Sequence, residues 1–209
     1  MVKRIFDIVC AALGLVFLSP LSLMIAFAIK MTSPGPVFYR GTRTGLGGRP
    51  FRIFKFRTMI VDADRIGGAS TALNDPRVTR IGHLLRRYKL DELPQLMNVL
   101  IGDMSIVGPR PEVPLYTDQY EGEELLILSV RPGITDYASL HFLHQEDILG
   151  TTDPDRMFVE KVQPLKTALR LQYIKVHTFW RDLAIIFKTL LRIMGLDVAA
   201  MNSLTDKER

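Results

Sequence analysis

Cysteine is nearly absent, with Cys10 the single thiol in 209 residues. That excludes a disulfide scaffold and any zinc site built from cysteine alone, and it fits a reducing compartment. Histidine is scarce as well. Of His83, His141, His144 and His177, only His141 and His144 stand three apart, and no third metal ligand is placed beside them. There is no Walker loop and no Gly-x-Gly-x-x-Gly stretch. No RNA-recognition or zinc-finger pattern accompanies the basic patches, so nucleic acid is not an expected partner. Internal repeats and low-complexity segments are missing. The longest absence is of charge, for none occurs between Asp7 and Lys30.

What is present is a basic chain with positive mean hydropathy. It holds 27 Lys and Arg against 22 Asp and Glu, a net charge of +5, and 47% hydrophobic residues. Its mean hydropathy is +0.14. The length allows one domain with a real core. The apolar excess sits at the front, where residues 8–29 form a 22-residue uncharged run, enough for a helix that crosses a membrane in about 20 residues.

Three readings of this run compete: a cleaved signal peptide, a simple span, and a re-entrant helix that enters and leaves on one side. Lys3-Arg4 and Ala26-Phe27-Ala28 resemble the ends of a signal peptide, but the run is long for that purpose. Ser19-Pro20 separates the other two. Proline has no amide hydrogen and clashes with the preceding turn, so a helix kinks or breaks there. The arms 5–18 and 21–30 would measure about 21 Å and about 15 Å, and neither crosses a hydrocarbon core of about 30 Å. Lys3 and Arg4 flank one end, while Lys30 and every later basic residue follow the other, so a span would break the positive-inside rule. The favoured reading is therefore a re-entrant membrane helix over 1–31, broken at Ser19 and Pro20. The Ser19 hydroxyl is the nearest partner for the freed backbone. Asp7 is expected at the membrane surface, paired with Lys3 or Arg4.

Thr32-Ser33-Pro34-Gly35-Pro36 ends this segment as a stiff turn. Residues 37–40 and 51–58 read as the strands of a short β-hairpin, joined by the glycine-rich stretch 41–48. Along the second strand Phe54 and Phe56 face one way, Lys55 and Arg57 the other. Residues 40–57 carry six basic side chains and no acid: Arg40, Arg43, Arg49, Arg52, Lys55 and Arg57. Residues 62–73 read as a loop. Asn74-Asp75-Pro76 is an N-cap followed by proline at the first helical position. It opens a helix over 77–89 with Ile81, Leu84, Leu85 and Tyr88 on one face and Arg80, Arg86, Arg87 and Lys89 on the others.

Pro94 is tolerated only in a first turn, so a new helix is expected from Asp91-Glu92 to residue 100. Gly108-Pro109-Arg110-Pro111 is a rigid loop, and Arg131-Pro132-Gly133 holds a second arginine beside a proline. Thr152-Asp153-Pro154 caps a further helix, which Pro164 interrupts or ends. Residues 165–194 show a helical pattern with Phe179, Trp180, Ile185, Ile186, Leu190 and Ile193, interleaved with Lys166, Arg170, Lys175, Arg181, Lys188 and Arg192. That suits an amphipathic helix at a membrane interface, or equally a core-facing helix with a solvated basic face. The tail, 196–209, is expected to fray.

Two basic clusters, two proline-flanked arginines and an acidic pair point to an anionic ligand handled by a carboxylate. The planar fork of Arg gives phosphate two parallel, charge-assisted hydrogen bonds, and proline neighbours lower the entropy lost in aiming it. At a helix start Asp91 and Glu92 are favoured as anions, and the same amides can hold a phosphate. A carboxylate beside a diphosphate needs its charge offset, so Mg²⁺ is expected. In that setting it could bind the metal, act as a base, or attack phosphorus. The plainer reading is that Asp91 and Glu92 are ordinary acids of a helix N-terminus.

Seven stretches, in order and with matching spacing from residue 3 to 136, resemble the bacterial sugar transferases, the monotopic phosphoglycosyl transferases in minimal form. They are Lys3-Arg4-Ile5-Phe6-Asp7, Ser19-Pro20, Phe54-Lys55-Phe56-Arg57-Thr58-Met59, Leu90-Asp91-Glu92-Leu93-Pro94-Gln95, Gly102-Asp103-Met104-Ser105, Gly108-Pro109-Arg110-Pro111 and Arg131-Pro132-Gly133-Ile134-Thr135.

The resemblance implies an α+β, mainly helical protein. A re-entrant helix (1–31) would precede a catalytic domain (32–195) on the cytoplasmic face of the bacterial inner membrane, with amphipathic helices at the interface. It also implies transfer of a phosphosugar from a UDP-sugar to polyprenyl phosphate with release of UMP, the step that initiates assembly of a membrane glycan such as an exopolysaccharide. By the same resemblance Asp91 is the nucleophile and Glu92 helps hold Mg²⁺ or manages protons. Lys55, Arg57, Arg86, Arg110 and Arg131 bind phosphates or the nucleotide. After Thr135 many members continue Gly-Trp-Ala-Gln-Val-Asn-Gly-Arg, whereas this chain has Asp136-Tyr137-Ala138-Ser139-Leu140-His141, so no sugar specificity carries over. Membrane lipids are implied partners, and a homo-oligomer is compatible with the sequence. The competing expectation from another class is a catalytically silent monotopic scaffold that binds anionic lipid.

Overall fold

The computed structural model describes residues 1–67, 71–72, 75–142 and 153–196. It is mainly helical, with three two-stranded ladders. Helices α1 (Val2–Phe17) and α2 (Ser19–Thr32) meet at Leu18 with a bend of 61°. Among the described residues no single helix is long and apolar enough to cross a membrane, though this bent pair passes that test jointly. Pro20 lies in the first turn of α2, where its missing N–H has no partner to lose. Ser19 Oγ donates to the Val16 carbonyl at 2.8 Å, satisfying part of the freed backbone.

The two arms straddle the rest of the chain. Ala11 of α1 packs with Ile53, Val99 and Met104, while Ile25 and Ile29 of α2 pack with Phe56 and Leu85. Full burial of an Ile such as Ile29 contributes about 2 to 3 kcal/mol. The surface expectation for Asp7 is overturned. Asp7 is buried and accepts from Ser105 Oγ at 2.8 Å and from the Ile106 amide at 3.2 Å. Lys3 instead pairs with Asp182, and Arg4 donates to the Val99 carbonyl at 2.8 Å. The reason is that the first turns of α1 lie on protein, so its polar groups find partners there.

Strands β1 (Phe38–Tyr39), β2 (Thr42–Thr44), β3 (Pro50–Arg52) and β4 (Lys55–Phe56) form the basic hairpin as two short antiparallel ladders, β1 with β4 and β2 with β3. The second strand is interrupted at Ile53-Phe54. There the buried Asn98 amide takes the place of a neighbouring strand, donating to the Arg52 carbonyl and accepting from the Phe54 amide, at 2.9 and 2.8 Å. Phe54 and Phe56 both meet the ring of Phe38, as their shared face requires.

The next helix, α3, spans Arg80–Arg87 rather than 77–89, with Thr79 as its cap through the Gly82 amide. Asp75 does not cap it, because Asp75 forms a buried ion pair with Arg77 at 2.7 Å. Of its expected apolar face Leu85 is buried, while Leu84 and Tyr88 stay exposed. The loop expected over 62–73 contains one helical turn, Ala63–Ile66; its residues 68–70 and 73, together with Asn74, His144, Thr152 and the tail beyond Leu196, lie outside the described residues.

Helix α4 (Gln95–Ile101) follows a 3₁₀ turn, Leu90–Glu92, so the acidic pair precedes the helix instead of opening it. Parallel strands β5 (Ser105–Val107) and β6 (Gly133–Thr135) then bring the two Arg-Pro loops side by side. They approach so closely that a Cβ on Gly108 would lie 3.1 Å from the Gly133 amide nitrogen.

After the short helix α5 (Tyr137–His141), the pattern read over 165–194 is two helices, α6 (Gln163–Val176) and α7 (Phe179–Ile193). Thr178 caps α7 through the Arg181 amide at 3.3 Å. The helix that Asp153 caps, Pro154–Met157, gives way to a π-helical turn, so the α-helical pattern is interrupted just before Pro164. Pro164 itself sits in the first turn of α6, directly after the π-helical turn, Phe158–Val162.

Candidate active site

Asp91 is aimed by its neighbours. Lys89 takes left-handed geometry (φ 55°) at the end of α3, a conformation unfavourable for a residue with a Cβ, and turns the chain into the 3₁₀ turn. Leu90 and Leu93 pack on the α2 cluster, and Leu96 packs on the α1 cluster. The turn is thus held between the two arms of the bent pair.

It opens into a cavity of about 1460 Å³. That volume exceeds the roughly 300–1,000 Å³ typical of a single small-ligand pocket. Lys55, Arg57, Arg86, Asp91, Glu92 and Arg110 all line it, and Leu18 at the helix break lines it too.

The two acids are treated differently. Glu92 is held at both oxygens. Arg110 donates through Nη1 to Oε2 at 2.8 Å and through Nη2 to Oε1, and Lys55 Nζ reaches Oε1 at 3.0 Å. Burial pushes its pKa up, but the charges of Arg110 and Lys55 outweigh burial and hold the carboxyl well below the usual range. Asp91 is buried with Oδ2 3.8 Å from Lys55 Nζ, and its Oδ1 has no hydrogen-bond partner. Burial raises the Asp91 pKa, with Lys55 opposing. A buried carboxylate oxygen left without a donor is costly in a resting protein and well suited to a ligand. Burial also lowers the pKa of Lys55, against the pull of Glu92 and Asp91.

Arg86 reaches the site from α3, its Nε 2.9 Å from Thr58 Oγ1. The remaining two arginines do other work. Arg57 turns away from Lys55 and donates to the Ser33 and Pro34 carbonyls and to Ser33 Oγ, pinning the turn that follows α2. Arg131 is exposed and lies outside the cavity lining, with its Nε on the Gly102 carbonyl at the end of α4 at 2.9 Å.

Four further charged residues were not expected at the site; Glu112, Lys166 and Arg170 line the same cavity, and Asp136 stands beside Arg170. Glu112 follows the Pro-Arg-Pro loop and accepts from Arg170 at 2.6 Å, with Lys166 3.8 Å away. Asp136 lies 3.8 Å from Arg170. The face of α6 that carries Lys166 and Arg170 is therefore neither solvated nor at a membrane. Lys166 also sits over the Phe158 and Phe142 rings, 5.0 and 5.9 Å from their centroids. The only sequence signal was the four-residue spacing of Lys166 and Arg170, which places them on one face.

Among the described residues no cluster of three His, Cys, Asp or Glu is positioned to hold a metal. Mg²⁺ does not require one, since it is commonly held by one or two carboxylates and substrate phosphates. The Asp91 carboxylate, with no hydrogen-bond donor on Oδ1, fits that pattern, while the oxygens of Glu92 are engaged by cations.

A family model described as bacterial sugar transferase matches residues 1–195. The UDP-glucose:undecaprenyl-phosphate glucose-1-phosphate transferase of Caulobacter vibrioides is 41% identical over 200 residues, covering 94% of this chain and 71% of that protein. The protein of the same name from Escherichia coli K12 is 42% identical over 197 residues, 92% of this chain but 40% of its own length. The UDP-N-acetylgalactosamine-undecaprenyl-phosphate N-acetylgalactosaminephosphotransferase of Aeromonas hydrophila is 39% identical over 196 residues, 92% of this chain and 44% of its own. The chain therefore spans less than half the length of the last two, and the sugar named is glucose for the first two and N-acetylgalactosamine for the third.

Proposed function

Because the chain belongs to the bacterial sugar transferase family, we propose that it transfers a phosphosugar from a UDP-sugar to a polyprenyl phosphate of the undecaprenyl kind. The observation that carries this is the buried, unpartnered Oδ1 of Asp91, in a cavity shared with Lys55, Arg86 and Arg110. In the first step a carboxylate oxygen of Asp91 attacks the sugar-proximal phosphorus. A new aspartyl P–O bond forms, the bond from that phosphorus to the bridging oxygen breaks, and UMP leaves with the bridging oxygen. In the second step an oxygen of the polyprenyl phosphate attacks the same phosphorus. Asp91 is released as carboxylate, and the product is a polyprenyl diphosphate sugar that starts glycan assembly.

Lys55 and Arg86 stand near Asp91 as partners for phosphate charge, and Arg110 keeps Glu92 in place. Asp91, together with substrate phosphates, would hold Mg²⁺, which when bound neutralises the diphosphate and polarises the P–O bond.

The bent pair α1–α2 is read as a re-entrant helix with both ends on the cytoplasmic face of the inner membrane. Exposed Val9, Leu13, Phe17 and Phe27 on the pair, and Trp180, Phe187 and Leu190 on α7, support that reading.

The test is incubation of the full chain with Mg²⁺, undecaprenyl phosphate and a panel of UDP-sugars. UMP release and a mass increase of one phosphosugar on the protein are expected, both lost in Asp91→Asn. A scaffold would release no UMP. A tag on Met1 reporting the external face would overturn the re-entrant topology.

A further inference from the structure

The Pro109-Arg110-Pro111 loop has one backbone donor, because neither proline carries an N–H. That donor, the Arg110 amide, is accepted by Asp136 Oδ2 at 2.9 Å. The other carboxylate oxygen of Asp136 accepts from the Ser139 amide at 2.6 Å and so caps α5. Asp136 is 1% exposed, and so is Arg170, which stands beside it and also holds Glu112 on the far side of the loop. One residue therefore ties the backbone of Arg110 both to a helix start and to a buried guanidinium. Arg110 in turn grips Glu92 and donates to the Ile134 carbonyl at 3.2 Å.

We propose that Asp136 is a positioning residue for the transfer reaction: it holds the Arg110 backbone so that the guanidinium meets Glu92 in the geometry transfer requires. The proposal rests on the transferase reading above. It assigns a role to a residue at the very point where this chain leaves the glycine pattern of the family it resembles. Geometry alone favours it over a simple helix cap, because a cap needs only the Ser139 contact. Asp136 spends its second oxygen on the loop instead.

The decisive experiment is a double-mutant cycle on UMP release by the full chain, with Asp136→Ala, Arg110→Ala and the pair. Asp136→Ala is expected to lower kcat by about tenfold or more, the usual scale for losing a charged hydrogen bond. Asp136→Asn, which keeps one acceptor, should recover part of it, and the pair should lose no more than Arg110→Ala alone. Losses that multiply in full, or a lower melting temperature with kcat unchanged, would overturn the proposal. If Asp136→Ala does not fold, Asp136→Asn carries the cycle.

A second readout needs no turnover. In ¹⁵N-arginine NMR spectra, the Arg110 guanidinium protons, assigned by their loss in Arg110→Lys, should exchange slowly in the parent chain. In Asp136→Asn they should exchange about tenfold faster. Unchanged protection overturns the proposal. Absence of UMP release from the parent chain overturns the transferase reading instead, with the exchange rate still deciding what Asp136 does.

Discussion

Arg110 donates to both carboxylate oxygens of Glu92, whereas Oδ1 of the adjacent Asp91 meets no donor at all. Two neighbouring acids are thereby set apart. Glu92 is locked as an anion, and Asp91 is left without a donor on one oxygen and with a pKa raised by burial. Asp91→Asn should abolish UMP release and label incorporation together. Glu92→Gln, which loosens Arg110 and Lys55, should keep the covalent step but slow it by about a hundredfold.

The raised pKa of Asp91 has a defined sign in the pH profile. In the proposed mechanism the attacking carboxylate exists above that pKa and is lost as pH falls through it. The acid limb of kcat/KM should therefore lie above the roughly 3.9 of an ordinary aspartate. Glu92, held far lower, stays charged throughout that limb. A profile flat down to that ordinary value would contradict the assignment.

Arg57 and Arg131 should separate from the other basic residues in kinetics. Arg57→Ala strands the Ser33 and Pro34 carbonyls, so about 1–3 kcal/mol of stability should go, with KM for the UDP-sugar within about threefold of the parent. Arg131→Ala removes one exposed bond to Gly102 and should cost about 1 kcal/mol or less. Thermal melts and KM values check both, and a tenfold rise in KM for either would return it to the phosphate-binding set.

Asp7 should behave as a structural acceptor. Asp7→Ala leaves the buried Ser105 hydroxyl and Ile106 amide without their partner. The expected loss is about 2–4 kcal/mol, against less for Asp7→Asn. Melting in a membrane mimetic measures it, and equal melts for the two variants would show that the contact is unimportant.

Lys166 supplies a pH dependence of stability with the opposite sense to a surface lysine. Burial, outweighing Glu112, pushes its pKa down to about 8, whereas an unfolded lysine titrates near 10.4. Between those values the unfolded chain binds the extra proton, so the contribution of Lys166 to stability rises with pH. Relative to Lys166→Met, the parent chain should gain stability from about pH 8 to about pH 10. A difference that stays constant across this window would mean that Lys166 is not shifted.

Local features were readable before any tertiary contact was known. The helix break at Ser19-Pro20 follows from the chemistry of one proline, and the structure bends there. Asp91 and Glu92 stand out by charge and position, and the family resemblance adds Lys55, Arg57, Arg86, Arg110 and Arg131; all but Arg131 line one cavity. The partners of individual charges were not readable. Lys55 and Arg57 share a sequence face, yet one meets Glu92 and the other the turn after α2, because the strand ends between them. Similarly, Asp75 looked like a cap, and its competing partner Arg77 lies just two residues away.

The amino-acid sequence by itself determined where the apolar run lies, where it must break, and which residue types could handle phosphate, since these depend on backbone chemistry and short-range spacing. Tertiary structure alone decided which charges are neutralised by protein and which face the cavity. Glu92 and Arg110 are 18 residues apart, and Glu112 and Arg170 are 58. A buried charge is stable only beside its partner, and helical periodicity, which sorts residues by face, carries no information about what that face will meet.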